Sequence, residues 1–274
     1  PHWYKPDKVF PLCRFLVFSR EETDIAHHPV TFSLMARGAR FTFLPLPAED
    51  ISATAVREKL AQGEPTPELY PQVAEYIRVC GLYGLSASPK GGEEMLRKLA
   101  AALNPRRFCH TILVCYTARR LALLHGVDEQ QAVTAALLHD CAKCLPLAQM
   151  QRLAREHRLL VDSETMASPL LHGPVGAVLA ETEYGVTDPN ILAAIRCHTT
   201  GKVGMLPLDM VVYLADKIEP SRRNYEGLQE TRDLAQKSLV AAMRYNASHF
   251  VEGASIRLHP TTQKMVDWLK RLPD

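Results

Sequence analysis

The sequence predicts a mainly α chain, an all-α helical domain over its last two thirds preceded by a partial α/β segment. Three observations carry this. Over the first 85 residues short, aromatic-rich apolar runs alternate with Pro-rich punctuation, which is mixed α/β patterning. From Glu94 onward apolar residues recur at helical spacing, with caps at sensible intervals. Between the two, GLSASPKGGE is small, polar and rich in turn residues, the chemistry of a linker. The expected division is therefore 1–85, a linker at 86–93, and a helical domain at 94–274.

In chain order, FLVF and FTFL read as strands. SATAVREKLAQG reads as a helix that opens on a hydroxyl cap and closes on Gly63, and PQVAEYIRVCGLYG as another. Beyond the linker, Asn104 and Pro105 start a helix through FCHTILVCYTARRLALLHG that stops at Gly126, with Phe108, Ile112, Cys115 and Leu121 at helical spacing. Asp128 caps EQQAVTAALLHDCAKCLP, expected to stay helical until Pro146. Helices follow in HGPVGAVLAETEYG, DPNILAAIRCHTTG and PLDMVVYLADKIEP, and one long helix in LQETRDLAQKSLVAAMRYNASHFVEG. There is no internal repeat and no sustained heptad pattern.

Composition sets limits. At 274 residues and 47% hydrophobic, the chain can bury one large core or two ordinary ones. A formal charge of +2, from 32 basic against 30 acidic residues, supplies no global field for a nucleic-acid backbone, so any anion site is local. No apolar run reaches the roughly 18–20 residues that span a bilayer. Seven scattered cysteines point to reduced thiols in a cytoplasm, and the lone C-x-x-C of Cys141 and Cys144 is explained by helical spacing. The opening PHWYKPDKVF has neither an initiator Met nor a secretory signal, so the sequence is expected to be a piece of a longer fusion. A homodimer is left open.

Histidines and aspartates stand where amphipathic helices would otherwise carry Leu or Ala: His110, His139 with Asp140, His172, His198 and Asp216. Taken singly, each is an ordinary partly buried group with a hydrogen-bond partner. As a set they point to a divalent metal, which offsets the cost of burial by accepting imidazole nitrogen and carboxylate oxygen together. Adjacent helical residues point about 100° apart, so His139 and Asp140 share a metal only if it lies between their directions. Around them lie Arg107, Lys143, the turn HTTGK and the run ADKIEPSRR, cations and small donors of the kind a polyphosphate requires.

The order of FCHTILV, ALLHDCAK, LLHGPVGA, IRCHTTGKVGM and YLADKIEPSR, from about Leu99 to Val251, resembles the YqeK family of HD-domain hydrolases. The resemblance implies metal-dependent hydrolysis of diadenosine tetraphosphate (Ap4A) to two ADP, with iron in the site and manganese or cobalt as alternatives. Carried over by residue, it implies His110, His139, Asp140 and Asp216 as metal ligands. His172 and His198, expected with Asp140 to be catalytic, either complete a second metal position bridged by Asp140 or touch phosphates beside one ion, the one-ion arrangement being preferred. Lys143, Thr199, Gly201 and Arg222 are expected at the substrate, beside His110, His172, His198 and Asp216.

The segment from Trp3 to Tyr83 resembles the C-terminal part of nicotinate-nucleotide adenylyltransferases, a Rossmann-like fold, through HWYKPDKVFPLCRFLVFSR, DISATAVREKLAQG and PQVAEYIRVCGLYG. In that family a similar turn holds ATP phosphates, which would place Ser52, Thr54 and Arg57 in a vestigial nucleotide site. Ala53 departs from the family's usual second Ser, and the Gly-rich opening with its paired histidines does not occur in these residues. Two alternatives to the tetraphosphatase follow: an adenylyltransferase of NAD biosynthesis with a regulatory HD domain, and an HD phosphodiesterase or nucleotidase of other specificity.

Overall fold

The computed structural model describes residues 6–17, 24–44, 51–252 and 258–272. The chain is mainly α and divides into two compact units, Pro1–Glu68 and Leu69–Asp274. The ends of the first adenylyltransferase-like motif, in residues 2–5 and 18–20, lie outside the described residues.

In the first unit α1 (Pro6–Val9) leads to β1 (Arg14–Val17), and α2 (Pro29–Ala36) crosses over to β2 (Arg40–Phe43). The strands pair in parallel, Phe15 against Phe41, as a β-α-β connection requires. The aromatic rings of Phe10, Phe15, Phe41 and Phe43 succeed one another at centroid spacings of 5.6–5.9 Å. α3 (Ala53–Gln62) is capped by Ser52, whose Oγ accepts from the Ala55 amide, and ends on left-handed Gly63.

The second unit runs through α4 (Pro71–Cys80), α5 (Gly92–Ala102), α6 (Pro105–His125), α7 (Glu129–Leu138), α8 (Leu147–Glu156) and α9 (Ser163–Met166). It continues through α10 (His172–Thr182), α11 (Pro189–Cys197), α12 (Pro207–Ile218), α13 (Leu228–Ala235), α14 (Leu239–Glu252) and α15 (Pro260–Leu269). α6, α7, α11 and α12 pack together at its centre. From Ala132 to Leu138, α7 is buried all round, the mark of a helix enclosed by others. Leu121, Leu137, Leu138, Ile195 and Leu214 lie in the common core, each worth about 1.5–3 kcal/mol of burial. Among the described residues no helix is long and apolar enough to cross a membrane.

Three sequence expectations need correction. The stretch 86–93 is not a free connector. Ser88 accepts from Arg119 and Gln130, and a Cβ on Gly92 would meet the Val79 carbonyl at 2.6 Å, so this segment is packed into the second unit. The compact units accordingly part at Glu68, before α4, because α4 packs on α6 and its buried Glu75 takes the Arg119 guanidinium at 2.8–3.0 Å. Second, α7 ends at Leu138 rather than at Pro146: residues 139–145 form turns, with amide bonds from Cys141 to Leu138 and from Lys143 to Asp140. Third, the long C-terminal helix is two helices, interrupted where the Ser238 hydroxyl accepts from the Ala241 amide and starts α14 afresh.

Candidate metal centre

Three helix ends and two helix interiors converge on one buried point. His110 sits in the second turn of α6, Asp216 near the end of α12, and His172 at the start of α10; His139 and His198 directly follow α7 and α11. Asp140 follows His139 into the turn. Because the chain leaves the helix there, the angular constraint on adjacent helical residues is relaxed, and both side chains face the same centre.

The histidines share one local device. Nδ1 of His139 lies 2.6 Å from the Ala136 carbonyl, that of His172 2.5 Å from Pro169, and that of His198 2.7 Å from Ile195, each three residues back. His110 directs its Nδ1 at Glu219 Oε1, 3.1 Å away. A carbonyl oxygen can only accept, so the Nδ1 atoms of His139, His172 and His198 are donors and their Nε2 atoms carry the lone pairs; His110 faces a carboxylate through both nitrogens, Glu219 Oε1 and Asp216 Oδ1, and against burial these acids raise its pKa. All four Nε2 atoms point inward. They face both oxygens of Asp140: Oδ2 is 3.4 Å from His139 Nε2 and 3.9 Å from His110 Nε2, while Oδ1 is 3.1 Å from His172 Nε2 and 3.6 Å from His198 Nε2. Two trios that share Asp140 result, His110–His139–Asp140 and Asp140–His172–His198, with ligand atoms within 4.8 Å of one another in each.

Such an arrangement fits a cation and little else. The Nε2 atoms of His172 and His198 face each other at 3.1 Å, and His139 Nε2 is buried without any hydrogen-bond partner. Acceptors crowded against acceptors in a dry interior are costly unless positive charge lies among them. Protonation is a poor substitute at His198: burial pushes its pKa down to about 4. Burial works to raise Asp140 and Asp216, but polar neighbours prevail, His139 with the hydrogen bonds of the other histidines at Asp140 and Lys217 at Asp216, and hold both carboxyls well below the usual range. The donors therefore suit a divalent metal.

Asp216 stands beside the first trio. Its Oδ1 is 3.1 Å from His110 Nε2 and 3.8 Å from His139 Nε2, while Lys217 donates to Oδ2 at 2.7 Å and Arg222 donates to Oδ1 and to the backbone carbonyl. Lys143 Nζ lies 3.3 Å from His172 Nε2, and burial lowers its pKa. The Thr199 hydroxyl lies 3.0 Å from His198 Nε2 and 3.3 Å from His172 Nε2. Gly201 has φ +66° and no room for a Cβ, which would fall 2.0 Å from Met265 Sδ, so it shapes the HTTG turn. In the first unit Thr54 accepts from Arg57 at 3.2 Å on the exposed start of α3, near the Ser52 cap.

Two participants were missed as site residues. Glu219, almost fully buried, orients His110 and accepts from the Ser221 amide and hydroxyl. Arg107 donates to Asp140 Oδ2 at 2.6 Å. Both lay in motifs already noted for their cations, where an acid at the centre of ADKIEPSRR was the available signal. They line a cleft of about 620 Å³ beside His110, together with Arg106, Lys217, Arg222, Arg223 and Tyr225. Five of those side chains are cations and Glu219 is the sole acid among the cleft's lining residues, so the approach to the centre is electropositive.

Comparison with known proteins gives this arrangement relatives. Residues 107–221 match the family model described as HD domain. The symmetrical bis(5'-nucleosyl)-tetraphosphatase of Bacillus subtilis (strain 168) is 37% identical over 180 residues, which is 65% of this chain and 96% of that protein. A probable nicotinate-nucleotide adenylyltransferase/Ap4A hydrolase of Mycoplasma genitalium (strain ATCC 33530 / DSM 19775 / NCTC 10195 / G37) is 33% identical over 161 residues, 58% of this chain and 42% of that one. Among solved structures, a predicted HD superfamily hydrolase involved in NAD metabolism from Clostridium acetobutylicum superposes with a TM-score of 0.62 at 32% identity, over 65% of this chain and 96% of its own. Matched across almost the whole of the Bacillus relative, the chain belongs to the HD-domain hydrolase family of the symmetrical bis(5'-nucleosyl)-tetraphosphatases.

Proposed function

We propose that this chain hydrolyses diadenosine tetraphosphate symmetrically to two ADP at the His/Asp centre, using a bound divalent metal. The observation that carries this reading is the convergence of four histidine Nε2 atoms on the two oxygens of Asp140, beside a cleft lined by five cations. The names of the relatives supply the substrate: a dinucleoside tetraphosphate is the molecule on which the Bacillus protein is named to act.

His110, His139, Asp140 and Asp216 would hold one metal ion. Asp140, His172 and His198 would hold a second, in preference to the single ion expected from sequence, since a lone ion among the first set leaves two Nε2 lone pairs opposed at 3.1 Å. A metal there supplies Lewis-acid polarisation of a phosphoryl oxygen and lowers the pKa of water. The chain's own groups do the rest. Lys143, Arg107 and Arg222 offset the charge of the phosphates, and Thr199 with the turn at Gly201 sets the distance of the chain from them. Water adds to an inner phosphorus, the bond from that phosphorus to the central bridging oxygen breaks, and each half leaves as ADP. Imidazole and carboxylate suit iron, and manganese or cobalt equally by donor type. Reduced thiols throughout fit a cytoplasmic setting. The part from 1 to 85 is proposed as adenylyltransferase-like, with Ser52, Thr54 and Arg57 as its vestigial phosphate turn.

Reloading metal-stripped protein with iron, manganese or cobalt should restore turnover of diadenosine tetraphosphate. Asp140→Ala should lower kcat by at least about 1000-fold while circular dichroism stays unchanged. Turnover that survives either metal removal or Asp140→Ala contradicts the reading.

A further inference from the structure

Two carboxylate oxygens of the centre each face two claimants. Asp140 Oδ2, 3.4 Å from His139 Nε2, also accepts from Arg107 at 2.6 Å. Asp216 Oδ1, 3.1 Å from His110 Nε2, also accepts from Arg222. These are the oxygens that meet the Nε2 atoms of the first ligand set, and each has a guanidinium on it. Lys217 differs, because it takes the other oxygen, Asp216 Oδ2, at 2.7 Å and is held over the Tyr213 ring, 4.9 Å from its centroid.

Charge decides between the claimants. A divalent ion and a guanidinium on one carboxylate oxygen are like charges held close together in a poorly solvated place, so each weakens the hold of the other. An arginine displaced there has somewhere to go. The side chains of Arg107 and Arg222 are 30% and 33% exposed and both line the cationic cleft, whereas the carboxylates that they hold are buried. A planar guanidinium fork matches phosphate as well as carboxylate, so neither arginine gives up its pairing by turning outward.

We infer that Arg107 and Arg222 are exchange arginines: they hold Asp140 Oδ2 and Asp216 Oδ1 until a divalent ion takes these oxygens, and then turn into the cleft to bind the phosphates of the nucleotide. Metal loading thereby prepares the cleft for substrate, and phosphate, by drawing the arginines away, tightens the metal; the linkage is reciprocal. This rests on the proposed function, which puts a metal at His110 and His139 and phosphates in the cleft. The opposing role is orientation, in which the arginines steady the carboxylates as ligands and stay on them when metal binds. Exchange and orientation move metal affinity in opposite directions.

The test is a calorimetric titration of metal-stripped protein with manganese in the absence of nucleotide. Exchange predicts that Arg107→Gln and Arg222→Gln each tighten manganese by at least about tenfold. Loss of an orienting partner would instead weaken it by about 10–100-fold. Arg223→Gln removes a cation of the same cleft that, among the described residues, pairs with neither carboxylate, and should change the affinity by less than about threefold. In the two exchange variants KM for diadenosine tetraphosphate should rise at least about tenfold, since the phosphates lose an arginine. Each variant probes its own oxygen, so if circular dichroism shows one to be unfolded the other decides. Manganese bound equally or more weakly by the folded variants, an equal tightening in Arg223→Gln, or an unchanged KM overturns the exchange and leaves the proposed function standing. Wild-type protein that binds no manganese overturns the proposed function and this inference with it.

Discussion

At the residue scale, the site depends on tautomers. Three backbone carbonyls take the Nδ1 protons of His139, His172 and His198, so each of these has one nitrogen to offer, and Glu219 holds His110 at Nδ1. Oxygen partners of this kind orient a ligand and raise its basicity, and losing one typically costs 10–100-fold in metal affinity. Glu219→Gln should therefore weaken binding of manganese by about that factor, read from the metal concentration that shifts the unfolding midpoint, with the metal-free midpoint little changed. His198 gives a pH dependence. Its folded pKa of about 4 lies below the ordinary 6.5, so between these values the unfolded chain takes up a proton that the folded site refuses. In chelator, stability contributed through His198 is complete above pH 6.5 and is lost as pH falls to about 4. Between pH 7 and 5 that share is about 2 kcal/mol, and urea unfolding at both values should show His198→Gln flattening the decline by that amount. A slope unchanged in the variant refutes the assignment.

At the element scale, glycines in the LLHGPVGA motif explain how α10 reaches α11. A Cβ on Gly173 would stand 2.8 Å from the Arg196 carbonyl, and one on Gly176 would meet the His139 carbonyl and Cys141 Sγ at 3.5–3.6 Å. At Gly173 backbone meets backbone and leaves no soft neighbour to yield, whereas the contacts at Gly176 are ordinary van der Waals distances. Gly173→Ala should separate α10 from the end of α11, cost about 1–3 kcal/mol, and move His172 away from His198. Calorimetry should record the lower midpoint, and the variant should also require more metal for half-maximal turnover. A variant as stable and as tight for metal as wild type would show that the close approach is not needed. The helix starts were legible because their caps are local: Asn104, Asp128 and Asp188 each accept from an amide two or three residues on. The breaks at His139 and Ser238 were not. Helical spacing continues through both, and what ends α7 is tertiary packing of the HD turn against the centre, which periodicity does not encode.

At the scale of the whole molecule, the sequence pointed to the polar side chains that converge better than to the boundaries of the units. His110, His139, Asp140, His172, His198 and Asp216 were readable because polar residues at apolar helical positions are conspicuous, and all six meet in one place. Glu219 escaped notice, and Arg107 stood out only as one cation near the polar set, because a charge beside other charges looks like solvated surface until burial is known. The turn-rich 86–93 stretch resembled a linker because Ser, Pro and Gly serve free and packed turns alike. Here they complete the seat of Arg119, whose guanidinium joins Glu75 of α4 to Ser88 and Glu129. What the assembled molecule is proposed to do is cut one bond in the middle of a symmetric substrate. The most direct measurement is ion-exchange analysis of the products formed from diadenosine tetraphosphate by metal-loaded protein. ADP as the sole nucleotide product, dependent on metal and absent with Asp140→Ala, is the result expected; AMP with ATP, or no turnover with iron, manganese or cobalt, would contradict the account.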